Sequence, residues 1–332
     1  MKQLAIVGAG SWGTALASVL APRFVHVSLW VYEEDLANRM RQARVNDIYL
    51  PGILLPPSIL ITTVLEKAVT RADIVLGVMP SHHARRLYTE MLPHAPPEAL
   101  YVSATKGLEN GSLMRMSEVL LEVLKSRFTP RIGVLSGPTF AREVARGEPA
   151  AVVISSFDAE LATLVQSAFS GPAFRLYKNS DPIGVEIGAA LKNVIAIAAG
   201  VCAGLGLGAN TLAALVTRGL AEITRLAIAA GGQARTLAGL AGLGDLVLTC
   251  NGELSRNRTV GLELGRGRKI SEILSGMRMV AEGVQTTQAA LDLARRIGVE
   301  LPITRQMYRI LYEGISPRDA LRELMERSLK EE

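Results

Sequence analysis

Cysteine, histidine and aromatic side chains are all scarce in this 332-residue chain, and each shortage narrows what the protein can be. Two cysteines, Cys202 and Cys250, make no disulfide framework, and each sits in apolar or glycine-rich sequence, so a reduced, cytoplasmic setting is expected. No zinc-type ligand spacing occurs, and no metal is expected. Aromatic residues are 5% of the chain and form no RNP-like pattern. Basic residues outnumber acidic ones by 36 to 31 but are scattered, with short clusters only at Arg85/Arg86 and at Arg266/Arg268/Lys269. Neither a helix-turn-helix nor a basic stripe is present, so nucleic acid is not an expected partner and a small anion is favoured. MKQLAIVGAG runs directly into a strand, with no targeting segment expected before it. The most membrane-like stretch, IGAALKNVIAIAAGVCAGL at 187–205, carries Lys192 and Asn193 in its first half. It reads as a buried helix, with no stable membrane insertion. There is no internal repeat, low-complexity tract or Pro/Ser linker, which predicts two packed halves with a cleft between them.

What the chain does have is apolar residues (49%) and glycine (31 residues), enough for a sizeable core and for close approach of backbone to a ligand. LAIVG at 4–8 is a continuous apolar run, as in a parallel strand covered on both faces. It leads into Gly8-Ala9-Gly10-Ser11-Trp12-Gly13 and then the helical TALASVLA. G-x-G-x-x-G between a strand and a helix is a dinucleotide-binding fingerprint. Gly8 permits the tight turn, Gly10 the approach of a pyrophosphate, and Gly13 close strand–helix packing, with the helix N-terminus favouring the anion. Further strands are expected at 25–30, 73–78, 99–104, 131–136 and 150–155, with helical patterns such as SHHARRLYTEML between them. This alternation predicts an α/β Rossmann-type doubly wound parallel sheet over residues 1–180. Ligand-facing loops are expected at MPSHH (79–83), TKGLENG (105–111) and SGPTFARE (136–143).

From about residue 181 the strand pattern gives way to helices, predicting an all-helical domain over 181–332. DPIGVEIGAALKNVIAIAAGVCAGLGLGAN reads as one long apolar helix ending in a glycine-rich loop. NTLAALVTRGLAEITRLAIAAGG reads as a second helix, and Ser316-Pro317 starts an amphipathic one. Lys192 lies among apolar neighbours, where an ammonium either snorkels to water or is desolvated, loses pKa and becomes a usable acid or base. AGLGDLVLTCNGELSRNR at 241–258 favours the second reading. Asp245 is the one carboxylate in an apolar turn and calls for a cationic partner. Ser255, Arg256, Asn257 and Arg258 supply hydroxyl, guanidinium and amide donors suited to a phosphate.

Taken in order, GAGSWGTALA, SATKGLE, LSGPTFARE, IGAALKNVIAIAAG, AGLGDLVLTC, SRNR and AEGVQT resemble the cytosolic NAD(P)-dependent glycerol-3-phosphate dehydrogenases as far as about residue 313. The resemblance implies a Rossmann domain joined to a helical domain of the 6-phosphogluconate-dehydrogenase C-terminal type, working as a homodimer. It implies interconversion of dihydroxyacetone phosphate and sn-glycerol 3-phosphate, feeding glycerophospholipid synthesis. Lys192 would then exchange the proton at the C2 oxygen, with Asn193 and Asp245 positioning it and Lys106 contacting both substrate and nicotinamide. Gly137, Thr139, Thr249, Ser255, Arg256 and Asn257 would hold the substrate and its phosphate. Gly8, Gly10, Ser11, Trp12, Gly13, Lys106, Ala141, Arg256, Val280 and Glu282 would contact the cofactor.

Two alternatives remain in view. One is a hydroxy-acid or ketopantoate-type dehydrogenase with a carboxylate at Arg256; the other is a non-enzymatic Rossmann sensor of NADH. The segment WVYEED at 30–35 bears on the cofactor. Glu33 comes 25 residues after Gly8, near the spacing at which an acid meets the adenosine ribose, with Tyr32 beside it. Its charge would repel a 2′-phosphate, and no base follows until Arg39, so NAD is preferred over NADP. Glu34 and Asp35 are expected in the first turn of the next helix.

Overall fold

In the computed structural model, residues 2–277, 281–329 and 331 are described. Ten strands all lie before residue 180: β1 (Gln3–Val7), β2 (His26–Trp30), β3 (Val45–Asn46), β4 (Leu50–Leu54), β5 (Ile59–Thr62), β6 (Ile74–Gly77), β7 (Leu100–Ser103), β8 (Arg131–Ser136), β9 (Ala150–Ser155) and β10 (Phe174–Asn179). Eight of them form one sheet in the order β10-β9-β8-β7-β6-β1-β2-β5, and β3 pairs with β4 in a separate hairpin. Alternate residues of β1 enter different cores. Leu4 and Ile6 pack with Leu16 and Leu20 of the helix Ser11–Leu20, whereas Ala5 and Val7 pack with Leu87, Met91 and Leu120 from helices on the other face. A strand covered on both sides can be apolar at every position, which is why LAIVG shows no alternation.

The sheet departs from the expected all-parallel arrangement at one place. Six neighbouring strands from β5 to β8 run parallel, but β9 is antiparallel to β8, with β10 parallel to β9. The reason is the connection from residue 137 to 149, which contains only the five-residue helix Ala141–Ala145. Such a helix rises about 8 Å, too little to carry the chain back along a strand of about 20 Å. The chain therefore returns beside β8 in the opposite sense. The strands β5 and β10, which the apolar runs do not reveal, are the two edges of the sheet. The burial of β10 alternates, and Arg175 and Lys178 occupy exposed positions, as suits an edge strand.

After Asn179 the described residues contain helices only. The longest, Pro182–Gly204, has 19 of its 23 residues buried and forms the axis of the second core. It is long and apolar enough to cross a membrane, but its apolar window is 89% buried inside the protein. An all-round apolar helix at the centre of a bundle meets that description. Asp181 caps its start, and Pro182 stands at its first position. The second helix, Ala209–Ala229, ends before Gly231, and Ser316 caps Pro317–Met325 by accepting from the Asp319 amide.

The helix Arg256–Gly265 lies almost backbone to backbone against the long helix. A methyl group on Gly261 would stand 1.9 Å from the Ile197 carbonyl, and one on Gly200 would stand 2.0 Å from the Arg258 carbonyl. This contact fixes where the start of the Arg256 helix lies relative to Lys192.

Candidate active site

β1 is flanked by β2 on one side and β6 on the other, so the strand order reverses there and a crevice opens beyond the strand ends. A cleft of about 600 Å³ occupies that position, and its lining comes from both halves of the chain. At one end lie Gly8, Gly10, Ser11, Trp12 and Gly13. Gly8 has φ +117°, and a β-carbon on it would meet the Val78 carbonyl at 2.2 Å. One on Gly13 would lie 1.9 Å from the Gly8 carbonyl, so strand and helix could not close on each other. Among the described residues, none beyond its own chain neighbours has an atom within 4 Å of such a position on Gly10, which leaves that side of the loop open to a ligand. No side chain caps the helix at Gly10, so the amide donors of its first turn suit an anion. This cradle fits a dinucleotide pyrophosphate.

The loop is braced from the segment around Asn46 and Tyr49, which the sequence does not single out. Asn46 donates to the Ala9 carbonyl at 2.8 Å and to Thr14 at 2.9 Å, fully buried, and Ser11 donates to the Tyr49 carbonyl at 2.6 Å. The only prior signal is a lone amide in an otherwise unremarkable turn.

At the inner end the two domains meet through one carboxylate. Asp245 is wholly buried, at the start of the helix Asp245–Asn251, directly after a π turn over Leu240–Gly244. Its Oδ1 accepts from Lys192 Nζ at 2.6 Å and its Oδ2 from Lys106 Nζ at 2.6 Å. The cationic partner expected for Asp245 is thus a pair of lysines, one from each domain. Lys192 also donates to Thr249 Oγ1 at 2.7 Å, and Thr249 in turn donates to the Asp245 carbonyl at 2.6 Å. Lys106 makes a further bond to the Gly137 carbonyl at 3.2 Å, and Thr139 donates to that same carbonyl at 3.3 Å. Burial lowers the pKa of Lys192 to about 8; the Asp245 charge opposes this fall and the Lys106 charge adds to it. The snorkelling alternative is removed, because Lys192 is only 7% exposed.

Asn193 lines the cleft, but the hydrogen bonds of Lys192 run to Asp245 and Thr249 and not to Asn193. Ser255, Arg256 and Asn257 also line the cleft, and their polar atoms are partly committed. The Ser255 hydroxyl accepts from the Arg258 amide as a helix cap, and the Asn257 carbonyl oxygen accepts from the Gly283 amide at 2.9 Å. Arg256 stands exposed at the cleft, whereas Arg258 is half-buried and outside the lining. Thr139 and Ala141 are in the wall, and Gly137 acts through its carbonyl on Lys106. Glu282 is half-buried and accepts from the Ser81 hydroxyl at 2.9 Å; desolvation pushes it up to about 7 against the pull of Ser81 and Arg256. Val280 lies outside the described residues.

The remaining wall is formed by the end of β2 and by the segment after β6. Tyr32 and Glu33 line the cleft with Tyr49, His83 and Arg86. Glu33 precedes the helix Glu34–Ala43 and accepts from the Tyr49 hydroxyl at 2.8 Å, while Glu34 and Asp35 fall in that helix's first turn as expected. Arg86 is the base that a reading along the chain from Glu33 to Arg39 does not find; β6 and the helix Ala84–Met91 deliver it from fifty residues further on. Of the loops expected to face a ligand, the first and third contribute as predicted. The second contributes Thr105 and Lys106, but Glu109 turns away to Arg85 at 2.8 Å.

A glycine cradle at the switch point of the sheet, joined by a lysine-bearing helical domain, defines the class of two-domain nicotinamide-dependent dehydrogenases. Comparison with known proteins identifies the group within that class. Models of the N-terminus and C-terminus of NAD-dependent glycerol-3-phosphate dehydrogenase match residues 3–162 and 181–322. The chain is 59% identical to glycerol-3-phosphate dehydrogenase [NAD(P)+] of Koribacter versatilis, with 98% of each chain covered. It is 54% identical to the protein of the same name from Syntrophotalea carbinolica, with 99% of each covered. The crystal structure of glycerol-3-phosphate dehydrogenase from Coxiella burnetii superimposes with a TM-score of 0.94 at 41% identity, over 98% of this chain and 99% of that one. The chain belongs to the NAD-dependent glycerol-3-phosphate dehydrogenase family.

Proposed function

We propose that the protein interconverts dihydroxyacetone phosphate and sn-glycerol 3-phosphate with NAD(H) or NADP(H), dividing near residue 180 into a dinucleotide domain and a catalytic helical domain. The observation that carries the reading is the Lys106–Asp245–Lys192 bridge on the cleft floor, with Lys192 brought to about 8. When bound, the reduced nicotinamide supplies a hydride to C2 of the ketone. Lys192 holds the proton that neutralises the developing C2 oxyanion, and Asp245 and Thr249 fix the direction of its ammonium. Lys106 adds a second positive charge at the same place, oriented by Asp245 and the Gly137 carbonyl. Arg256, with the first turn of its own helix, receives the substrate phosphate, so binding energy away from C2 orients the ketone. Asn193 and Thr139 complete the wall around the substrate; Trp12, Ala141 and Glu282 flank the cofactor.

We place the enzyme in the cytoplasm, where its product would serve glycerophospholipid synthesis. We propose a homodimer, which the exposed apolar side chains Ile228 and Met325 beside a second groove on the helical domain support. The test is nicotinamide oxidation with dihydroxyacetone phosphate against 2-oxo and 3-oxo acids, in the wild type and in Lys192→Ala. Removing the proton donor should lower kcat by about 10²–10⁴-fold while leaving nucleotide affinity nearly intact. Near-normal turnover in the variant, or a preference for oxo acids, would refute the assignment.

A further inference from the structure

The adenosine end of the cleft carries two opposite charges from distant parts of the chain. Glu33, just beyond β2, holds one carboxylate oxygen on the Tyr49 hydroxyl. Arg86, in the helix after β6, lays its guanidinium over the Tyr32 ring with 5.4 Å between the guanidinium carbon and the ring centroid. All four side chains line the cleft that contains the glycine loop. The bases nearer in sequence are occupied elsewhere. Arg39 bonds Asp47 at 2.9 and 3.3 Å, and Arg41 bonds Asn38, Glu34 and the Ile61 carbonyl. The tie of Arg86 to Glu90 is long, at 3.4 Å, and both side chains are about half exposed, so little holds it back from a ligand.

A carboxylate after the second strand of such a sheet suits ribose hydroxyls, and an arginine nearby accommodates a 2′-phosphate. Here both are present, and the Tyr32 ring beneath the guanidinium carbon gives Arg86 a cation–π contact within the cleft wall. Resting on the reading of the cleft as a dinucleotide site, we infer that Arg86 is the specificity residue that admits the 2′-phosphate of NADP(H), acting against the repulsion of Glu33. The pair then sets the ratio of the two cofactors, and a reading of Glu33 alone overstates the exclusion of NADP(H). Arg86 touches neither the nicotinamide end nor the lysine bridge in the described structure, so its effect belongs in cofactor discrimination and not in the chemistry at C2.

The test compares kcat/KM for NADPH and for NADH in full-length wild type and in Arg86→Ala, with dihydroxyacetone phosphate saturating. Loss of a charge-assisted contact to phosphate should lower the NADPH:NADH ratio by about tenfold or more, mainly through the KM for NADPH. A fall of fivefold or more supports the inference; a smaller fall, or a wild type that does not turn over NADPH, overturns it. Should Arg86→Ala not reach wild-type helicity, Arg86→Gln carries the same comparison. Titration with adenosine 2′-monophosphate and adenosine 5′-monophosphate, read by displacement of NADH fluorescence, gives a second measure without turnover. Only the 2′ compound should lose affinity in the variant, and equal losses would overturn the inference. A wild type that binds neither dinucleotide would instead overturn the reading of the cleft itself, whereas two bound cofactors with an unmoved ratio would overturn only the part given to Arg86.

Discussion

Lys192 titrates low because its ammonium has exchanged water for one carboxylate that it must share. Asp245 gives one oxygen to Lys192 and the other to Lys106, so the compensation that a private carboxylate would provide is divided between two cations. Burial then outweighs the remaining attraction and brings the group to about 8. Reduction of a ketone needs the ammonium form, and oxidation of the alcohol needs the amine. The rate of dihydroxyacetone phosphate reduction, as kcat/KM, should therefore fall as pH rises through about 8, while glycerol 3-phosphate oxidation rises through the same range. Matched pH–rate profiles in the two directions check this; parallel profiles would remove Lys192 from the proton transfer. Lys192 could be singled out in the sequence because an ammonium in an apolar helix is costly wherever that helix packs. The sharing of Asp245 could not, since Lys106 is 139 residues away and reaches it only across the cleft.

Between elements, the contact that sets the cleft is the glycine seam of the helices Pro182–Gly204 and Arg256–Gly265. Gly200 and Gly204 face Gly261 and Gly265, and each of the four would bring a β-carbon within 2.5 Å of the other helix's backbone. Gly261→Ala must push the helices apart or distort them, at a cost of about 1–3 kcal/mol. The same displacement carries Arg256 away from Lys192. A lower denaturant midpoint together with a raised KM for dihydroxyacetone phosphate is expected, and an unchanged KM would uncouple the seam from the site. The spacing of four residues within each pair is visible in the sequence, but which helix meets which is not. Elsewhere, strands covered on both faces were legible as apolar runs. The edge strands β5 and β10 were not, because an edge strand mixes exposed and buried positions over only a few residues.

At the scale of the whole molecule, polar ties with one buried partner each cross between the sheet and the helical domain. Besides Lys106–Asp245, the Ser81 hydroxyl donates to Glu282, and Arg115 donates to Glu186 of the long helix at 2.6 Å. Ser117 adds its amide at 2.8 Å and its hydroxyl at 2.6 Å to the same carboxylate. Burial pushes Glu186 upward in pKa while Arg115 and Ser117 oppose it. Arg115 is itself held above its usual value by its carboxylate neighbours, and with three donors in place the ionised pair is the form this geometry supports. Glu186→Ala leaves a nearly buried guanidinium without its main partner, which should cost about 3–5 kcal/mol and change little with added salt. In a denaturant titration, a loss of unfolding free energy below about 1 kcal/mol would show that the tie is dispensable.

Much of this molecule was determined locally. The glycine turn, the apolar strands, the caps at Asp181 and Ser316 and the buried character of the Lys192 helix follow from steric and solvation rules that act over a few consecutive residues, and they can be read in any stretch that obeys them. What the tertiary structure alone decided are meetings between residues far apart in the chain. The short connection after β8 reversed the last two strands, the glycine seam set the Arg256 helix over Lys192, and the switch point of the sheet brought Arg86 over Tyr32. Such meetings depend on the path of the whole chain, because charge and hydrogen bonding act through space at a few ångströms and take no account of separation along the sequence.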